Sequence, residues 1–150
     1  MENHQTIGII GLGTMGLGIA QVFAQAGYRT IATDAQPATR DTVRARMTEA
    51  LTARVALGIL TEADCAATLA NLHIAETLTG FAACDLVIEA IIERVDAKQA
   101  LFAQLEAIVS PNAILATSSP EPQHRHCRKR GSAAHGADLG AAKRLSAAGS

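Results

Sequence analysis

Gly11, Gly13 and Gly16 stand in the segment Gly11-Leu-Gly-Thr-Met-Gly16, with the spacing G-x-G-x-x-G. Glycines at these intervals suit the binding of a dinucleotide pyrophosphate. The first makes a tight turn, the second lets bare backbone approach the phosphates, and the third lets a helix pack closely on a strand. Free N–H groups and the positive end of the helix dipole then hold the anion. A glycine turn that serves packing alone is the plain alternative. The flanks decide between the two, because an apolar run, Thr6 to Ile10, leads into the turn and a helical repeat leaves it.

A second candidate group is Asp34, at the end of the next apolar run. A carboxylate there can accept hydrogen bonds from the adenine ribose hydroxyls and would repel a 2′-phosphate, which favours NAD over NADP. The alternative is an ordinary surface aspartate. Glu93 and Lys98 follow a long apolar run, on the edge of an α/β sheet where ligands bind; taken alone they read equally as a solvated pair. Arg40, Arg44, Arg46 and Arg54 lie along one helical stretch, where they could meet phosphates or simply face water.

One basic cluster remains: His124, Arg125, His126, Arg128, Lys129 and Arg130. It lacks interleaved aromatics and a helical stripe, and His124, His126 and Cys127 have no second ligand pair at metal spacing. We expect a solvated segment there, with neither a metal nor nucleic acid as its partner.

The remaining composition agrees with one folded domain. The 150 residues are 49% hydrophobic and 18% charged, enough apolar material for one core, and the net charge of −1 gives no global attraction to nucleic acid or anionic lipid. Cys65, Cys84 and Cys127 stand far apart without a C-x-x-C pair, which argues against a disulfide framework and for a reducing, cytoplasmic setting. No segment approaches the roughly 20 apolar residues of a membrane span, and the N-terminal run has no signal-peptide pattern.

These groups need elements to position them. Thr6–Ile10 reads as a strand. Met15, Ile19, Val22, Phe23 and Ala26 repeat at helical spacing up to Gly27, and Tyr28 to Thr33 is β-rich, so the first unit is βαβ. Val43, Met47, Ala50, Leu51 and Val55 mark a helix from about Thr39 to Gly58. Thr61 with Glu62 and Asp64 resembles the cap of a third helix reaching Asn71. Leu72–Ala75 is a candidate short strand, and Asp85–Ile92 is a continuous apolar run suited to a strand covered on both faces. A helix carrying Ala97, Leu101, Leu105, Ile108 and Val109 stops at Ser110-Pro111, before a last strand, Ala113–Thr117. The expected fold is α/β: a Rossmann-type, doubly wound parallel sheet, incomplete, with a helical excursion after the second strand and an irregular C-terminal tail. Composition changes sharply after residue 118, so residues 1–118 read as the NAD-binding domain and 119–150 as a disordered tail outside it.

Taken in order, these segments resemble the N-terminal domain of the 3-hydroxyacyl-CoA dehydrogenases, over residues 5 to about 118. The carriers are Gly11-Leu-Gly-Thr-Met-Gly-Leu-Gly-Ile-Ala-Gln21, Ala26-Gly27, Asp34, the helical excursion, Asp85-Leu-Val-Ile-Glu-Ala-Ile-Ile-Glu93, Lys98, Leu101-Phe102 and Ala113-Ile-Leu-Ala-Thr117. The β-hydroxyacid dehydrogenases share the glycine turn, but the excursion and the Glu93 strand end favour the acyl-CoA family.

The resemblance implies reversible oxidation of an L-3-hydroxyacyl-CoA to the 3-ketoacyl-CoA, with NAD taking the hydride. It implies that Met15 and Asp34 hold the adenosine half of NAD and that Ile92, Glu93 and Lys98 approach its ribose and nicotinamide half. The family continues after Ala-Thr with Asn-Thr-Ser-Ser-Leu-Ser-Ile, whose first serine orients the substrate hydroxyl; Ser118 is the nearest counterpart. The catalytic histidine of the family, in a His-Phe-Phe-Asn-Pro segment, has no match here, and His124, His126 and His135 stand in the wrong context. The helical domain that completes the cleft and supplies the family's homodimer contact has no counterpart either. We therefore expect a truncated chain without turnover of its own.

Residues after Ser119 also admit a reading-frame explanation. Glu121-Pro-Gln-His-Arg-His-Cys-Arg-Lys129 can be encoded by GAG CCT CAG CAT CGC CAT TGC CGC AAG, and skipping the first base gives Ser-Leu-Ser-Ile-Ala-Ile-Ala-Ala-Ser when the next base is C. That string continues the family pattern.

Overall fold

The computed structural model describes residues 5–91 and 95–118. Five strands are ordered β3-β2-β1-β4-β5, and every neighbouring pair is parallel. Strand β1 is Thr6–Ile10, β2 Arg29–Thr33, β3 Leu72–Ile74, β4 Leu86–Glu89 and β5 Ile114–Thr117. Helix α1, Thr14–Gln25, connects β1 to β2. The excursion between β2 and β3 consists of α2, Pro37–Ala56, and α3, Glu62–Ala70; α4, Val95–Ile108, connects β4 to β5. The expected doubly wound sheet is therefore present.

Alternation along the strands builds a core on each face. Ile7, Ile9, Ala32 and Ile88 pack on one side with Ala20 of α1 and with Val43, Met47 and Leu51 of α2. Ile10, Ile31, Val87 and Leu115 pack on the other with Phe102 and Leu105 of α4, and with Phe81 from a short 3-10 turn. Successive strand residues thus alternate between the two clusters, as the period-2 geometry of a strand covered on both faces requires. Gly8 belongs to the second face, where a Cβ would fall 2.5 Å from the Phe81 ring.

Local chemistry accounts for the element ends. Thr61 Oγ1 accepts the Asp64 amide and the Asp64 carboxylate accepts the Thr61 amide, completing the expected cap of α3 as a reciprocal capping box. Helix α2 begins earlier than Thr39, with Pro37 in its first turn, where a missing N–H costs nothing. Strand β4 is shorter than the expected Asp85–Ile92. At its start the Asp85 carboxylate caps the Thr6 amide at 2.8 Å, and at its end the Ile91 amide turns back to the Glu89 carboxylate instead of continuing a ladder. No described helix is long and apolar enough to cross a membrane.

Candidate functional site

The strand order reverses between β1 and β4, and the carboxyl ends of these strands flank the switch point at which open α/β sheets bind ligands. The glycine turn leaves β1 at this point. Gly11 has φ +98°, a left-handed conformation that disfavours any side chain, and its amide donates to Thr33 O at 2.9 Å, joining the turn to the end of β2. A Cβ at Gly16 would fall 1.6 Å from Gly11 O, so α1 can lie against the turn only with glycine there. Gly13 differs: a Cβ there would meet no protein atom within 4 Å. It is the N-cap of α1, supplies no side-chain hydrogen bond, and is followed by a first turn without acidic residues. Met15 stands on the same turn, 47% exposed.

Asp34 closes the other side of this arrangement. Its Oδ2 accepts the Leu12 amide at 2.7 Å and its Oδ1 accepts the Gln36 amide at 2.9 Å. A carboxylate offers about four acceptor positions, so each oxygen retains capacity for a hydroxyl donor. An open space above Gly13, an uncapped helix N-terminus and a carboxylate with acceptor capacity together fit a dinucleotide: pyrophosphate over the turn and a ribose at Asp34.

Three of the helix arginines brace the backbone. Arg46 Nη1 donates to Leu12 O at 2.9 Å and Arg40 Nη1 donates to Asp34 O at 2.8 Å, while Arg44 reaches the carbonyls of Leu69 and Leu72. Arg44 and Arg54 remain exposed, as expected of arginines that face water, and the backbone contacts are an addition to that reading. Helix α2 packs on one face of the sheet, and its guanidinium groups reach carbonyls of the glycine turn, the β2 end, α3 and β3.

Across the switch point, Lys98 is buried, and its Nζ lies 3.7 Å from Oε2 of Glu89 at the end of β4. Ser118 follows β5; its amide and hydroxyl donate to the main-chain oxygen of Glu89 at 2.8 and 3.1 Å. Ile92 and Glu93 lie outside the described residues, as does the basic cluster around His124.

Glu89 went unselected in the sequence reading, although a glutamate inside an otherwise apolar run is a visible signal. It is fully buried. Thr117 Oγ1 donates to its Oε1 at 2.6 Å, the Ile91 amide donates to its Oε2, and the adjoining Ala90 packs against Gly11 and Gly16. Among the described residues, no group of three His, Cys, Asp or Glu side chains gathers to hold a metal.

Comparison with known proteins agrees with this geometry. Residues 6–125 match the family described as 3-hydroxyacyl-CoA dehydrogenase, NAD binding domain, a match that runs past the compositional boundary near residue 118. The chain is 43% identical over 123 residues to 3-hydroxyadipyl-CoA dehydrogenase of Escherichia coli, covering 79% of this chain and 25% of that protein. It is 40% identical over 112 residues to a probable 3-hydroxybutyryl-CoA dehydrogenase of Deinococcus radiodurans, covering 75% and 40% respectively. The crystal structure of (S)-3-hydroxybutyryl-CoA dehydrogenase from Ralstonia eutropha superposes with a TM-score of 0.76 at 33% identity, covering 83% of this chain and 46% of that one. The chain thus spans less than half the length of these relatives. By the extent of this match, by its parallel sheet and by the glycine turn beside Asp34, the chain belongs to the 3-hydroxyacyl-CoA dehydrogenase family and carries that family's NAD-binding domain.

Proposed function

We propose that these residues form the cofactor half of an enzyme that oxidises an L-3-hydroxyacyl-CoA to the 3-ketoacyl-CoA, a step of fatty-acid β-oxidation and related acyl-CoA pathways. The observation that carries this reading is the 2.7 Å bond from the Leu12 amide to Asp34, which joins a phosphate-binding turn to a ribose-binding carboxylate. NAD, when bound, supplies the hydride acceptor. In this reading Gly11, Gly13 and Gly16 cradle the pyrophosphate, Met15 and Asp34 hold the adenosine, and Ile92, Glu93 and Lys98 attend the ribose and nicotinamide. Ser118 orients the substrate hydroxyl, its own hydroxyl held by Glu89 O.

Proton transfer falls outside these residues. A dehydrogenation that sends hydride to NAD needs a base for the hydroxyl proton, and the His-Phe-Phe-Asn-Pro segment that would carry it is absent from the sequence. We therefore assign NAD binding without turnover to these 150 residues. The wide separation of the cysteines, without a C-x-x-C pair, supports a cytoplasmic location.

The test is a fluorescence titration of the purified chain with NADH, followed by an assay with acetoacetyl-CoA and NADH. Saturable binding without NADH consumption is expected. Absence of binding removes the cofactor assignment, and measurable turnover overturns the argument from the missing histidine.

A further inference from the structure

Glu89 is the only acidic residue among the described residues with a buried side chain, and its partner Lys98 is buried with it. Burying two charges is costly, and apolar replacements of such pairs are often neutral or stabilising. Stability alone therefore does not explain an ion pair at this position.

Its location offers an explanation. The carboxylate lies at the end of β4, one residue from Ala90, whose carbonyl oxygen would be 2.9 Å from a Cβ on Gly11. Four residues converge on Glu89 from three directions: Thr117 of β5 and Ser118 just after it, Ile91 from the chain leaving β4, and Lys98 from α4.

We propose that Glu89 is a positioning residue for the cofactor. It holds the Lys98 ammonium at the switch point and fixes the exit of β4 beside the glycine turn, acting on the dinucleotide through Lys98 rather than by contact. An ammonium has three donors, and the Glu89 contact engages at most one of them. The carboxylate itself is enclosed, its oxygens taken by Thr117, Ile91 and Lys98. This inference rests on the assignment of NAD to this edge of the sheet.

A double-mutant cycle on NADH affinity in the full chain tests it. Glu89→Gln can keep its one acceptor oxygen on the Ile91 amide and turn its NH2 to Thr117 Oγ1, which can accept instead of donating, so the main loss is the charge that fixes Lys98. We expect its NADH Kd to rise roughly tenfold, with Lys98→Met causing a similar rise and the double variant no worse than Lys98→Met alone. A purely structural Glu89 would leave the two effects multiplying. A folded Glu89→Gln that binds like the parent, a Lys98→Met without effect, or multiplicative losses each overturn the proposal.

If Glu89→Gln fails to fold, Thr117→Val takes its place, loosening the carboxylate without removing it. Its NADH Kd should rise about threefold in the parent and not at all in Lys98→Met; an unchanged Kd, or an equal rise in both backgrounds, overturns the proposal. NADH binding by the parent is measured first. If the parent does not bind, the cofactor assignment itself fails and takes this inference with it, whereas a parent that binds with insensitive variants refutes the inference alone.

Discussion

The Asp34 carboxylate and the Leu12 amide, 22 residues apart, meet at 2.7 Å, so the end of β2 is tied to the glycine turn after β1 through the group expected to take the ribose. The same turn is held from behind by Arg46 on Leu12 O, and the same strand end by Arg40 on Asp34 O. The adenosine side of the site is therefore braced before any ligand arrives, which lowers the ordering cost of binding.

Asp34→Ala removes both the ribose acceptor and the partner of the Leu12 amide. Hydrogen bonds to a charged group contribute about 1.5–3 kcal/mol each, so NADH affinity should fall at least tenfold. Asp34→Asn keeps an acceptor for Leu12 but loses the charge that repels a 2′-phosphate. It should bind NADH somewhat more weakly and NADPH more tightly than the parent does. Parallel titrations with the two nucleotides check this, and an unchanged ratio of affinities would show that Asp34 does not set cofactor choice.

Two glycines of the turn should fail in different ways. Gly16→Ala places a methyl 1.6 Å from Gly11 O, a clash with backbone that only a shift of α1 can relieve, at a cost of at least about 1–3 kcal/mol of stability. Gly13→Ala meets no protein atom, so its melting temperature should stay close to that of the parent while its methyl occupies space assigned to pyrophosphate. Thermal melts and NADH titrations of both variants separate the cases. Normal NADH binding by Gly13→Ala would move the phosphate away from that position.

How far the sequence alone reached depended on the range of the signal. The βαβ unit, the glycine turn and Asp34 were legible because short spacings specify them: a helical repeat after the glycines, a β-rich run before the acid, a capping pair at Thr61 and Asp64. The contacts of Glu89 were not, because they depend on how separate elements pack together. Thr117 lies 28 residues away, and Lys98 sits on a helix whose packing on the sheet no local pattern reports. A continuous apolar run also conceals which face each residue takes, so Glu89 was visible as a glutamate within it while its contacts were not. The arginine contacts of α2 were hidden for the same reason, since their acceptors are backbone carbonyls, which exist at every residue.

Cys84 offers a check on the packing of the second core face. Burial pushes its thiol up to about 12, and the neighbouring Asp85 carboxylate adds to the rise while Arg29 opposes it. Because the folded state favours the neutral thiol, its contribution to stability is complete below the usual thiol range and is lost as pH rises towards 12. At pH 8 the thiolate fraction should be lower than that of a free cysteine by about three orders of magnitude. Iodoacetamide applied to the native protein at pH 8 should leave the Cys84 peptide unmodified by mass spectrometry until denaturant is added. Rapid native labelling would mean that the Phe81 and Cys84 face opens readily.

The residues beyond Ser119 make a prediction about nucleic acid rather than protein. After Ala113-Ile-Leu-Ala-Thr117 the composition changes to Pro120-Glu-Pro-Gln-His-Arg-His-Cys, although the family match itself extends to residue 125. A shift of one base at about codon 121 accounts for it, because the shifted codons can spell Ser-Leu-Ser-Ile-Ala-Ile-Ala-Ala-Ser. Degeneracy makes that string available without making it necessary, so the actual codons decide. Sequencing the gene across codons 115 to 150 and beyond should show Ser-Leu-Ser-Ile in the shifted frame and, downstream in that frame, His-Phe-Phe-Asn-Pro. If neither string is there, the basic segment is the gene's own sequence and the frame explanation fails. If both are there, restoring the frame should return the histidine required for proton transfer, and turnover of acetoacetyl-CoA with NADH should appear in the restored protein alone.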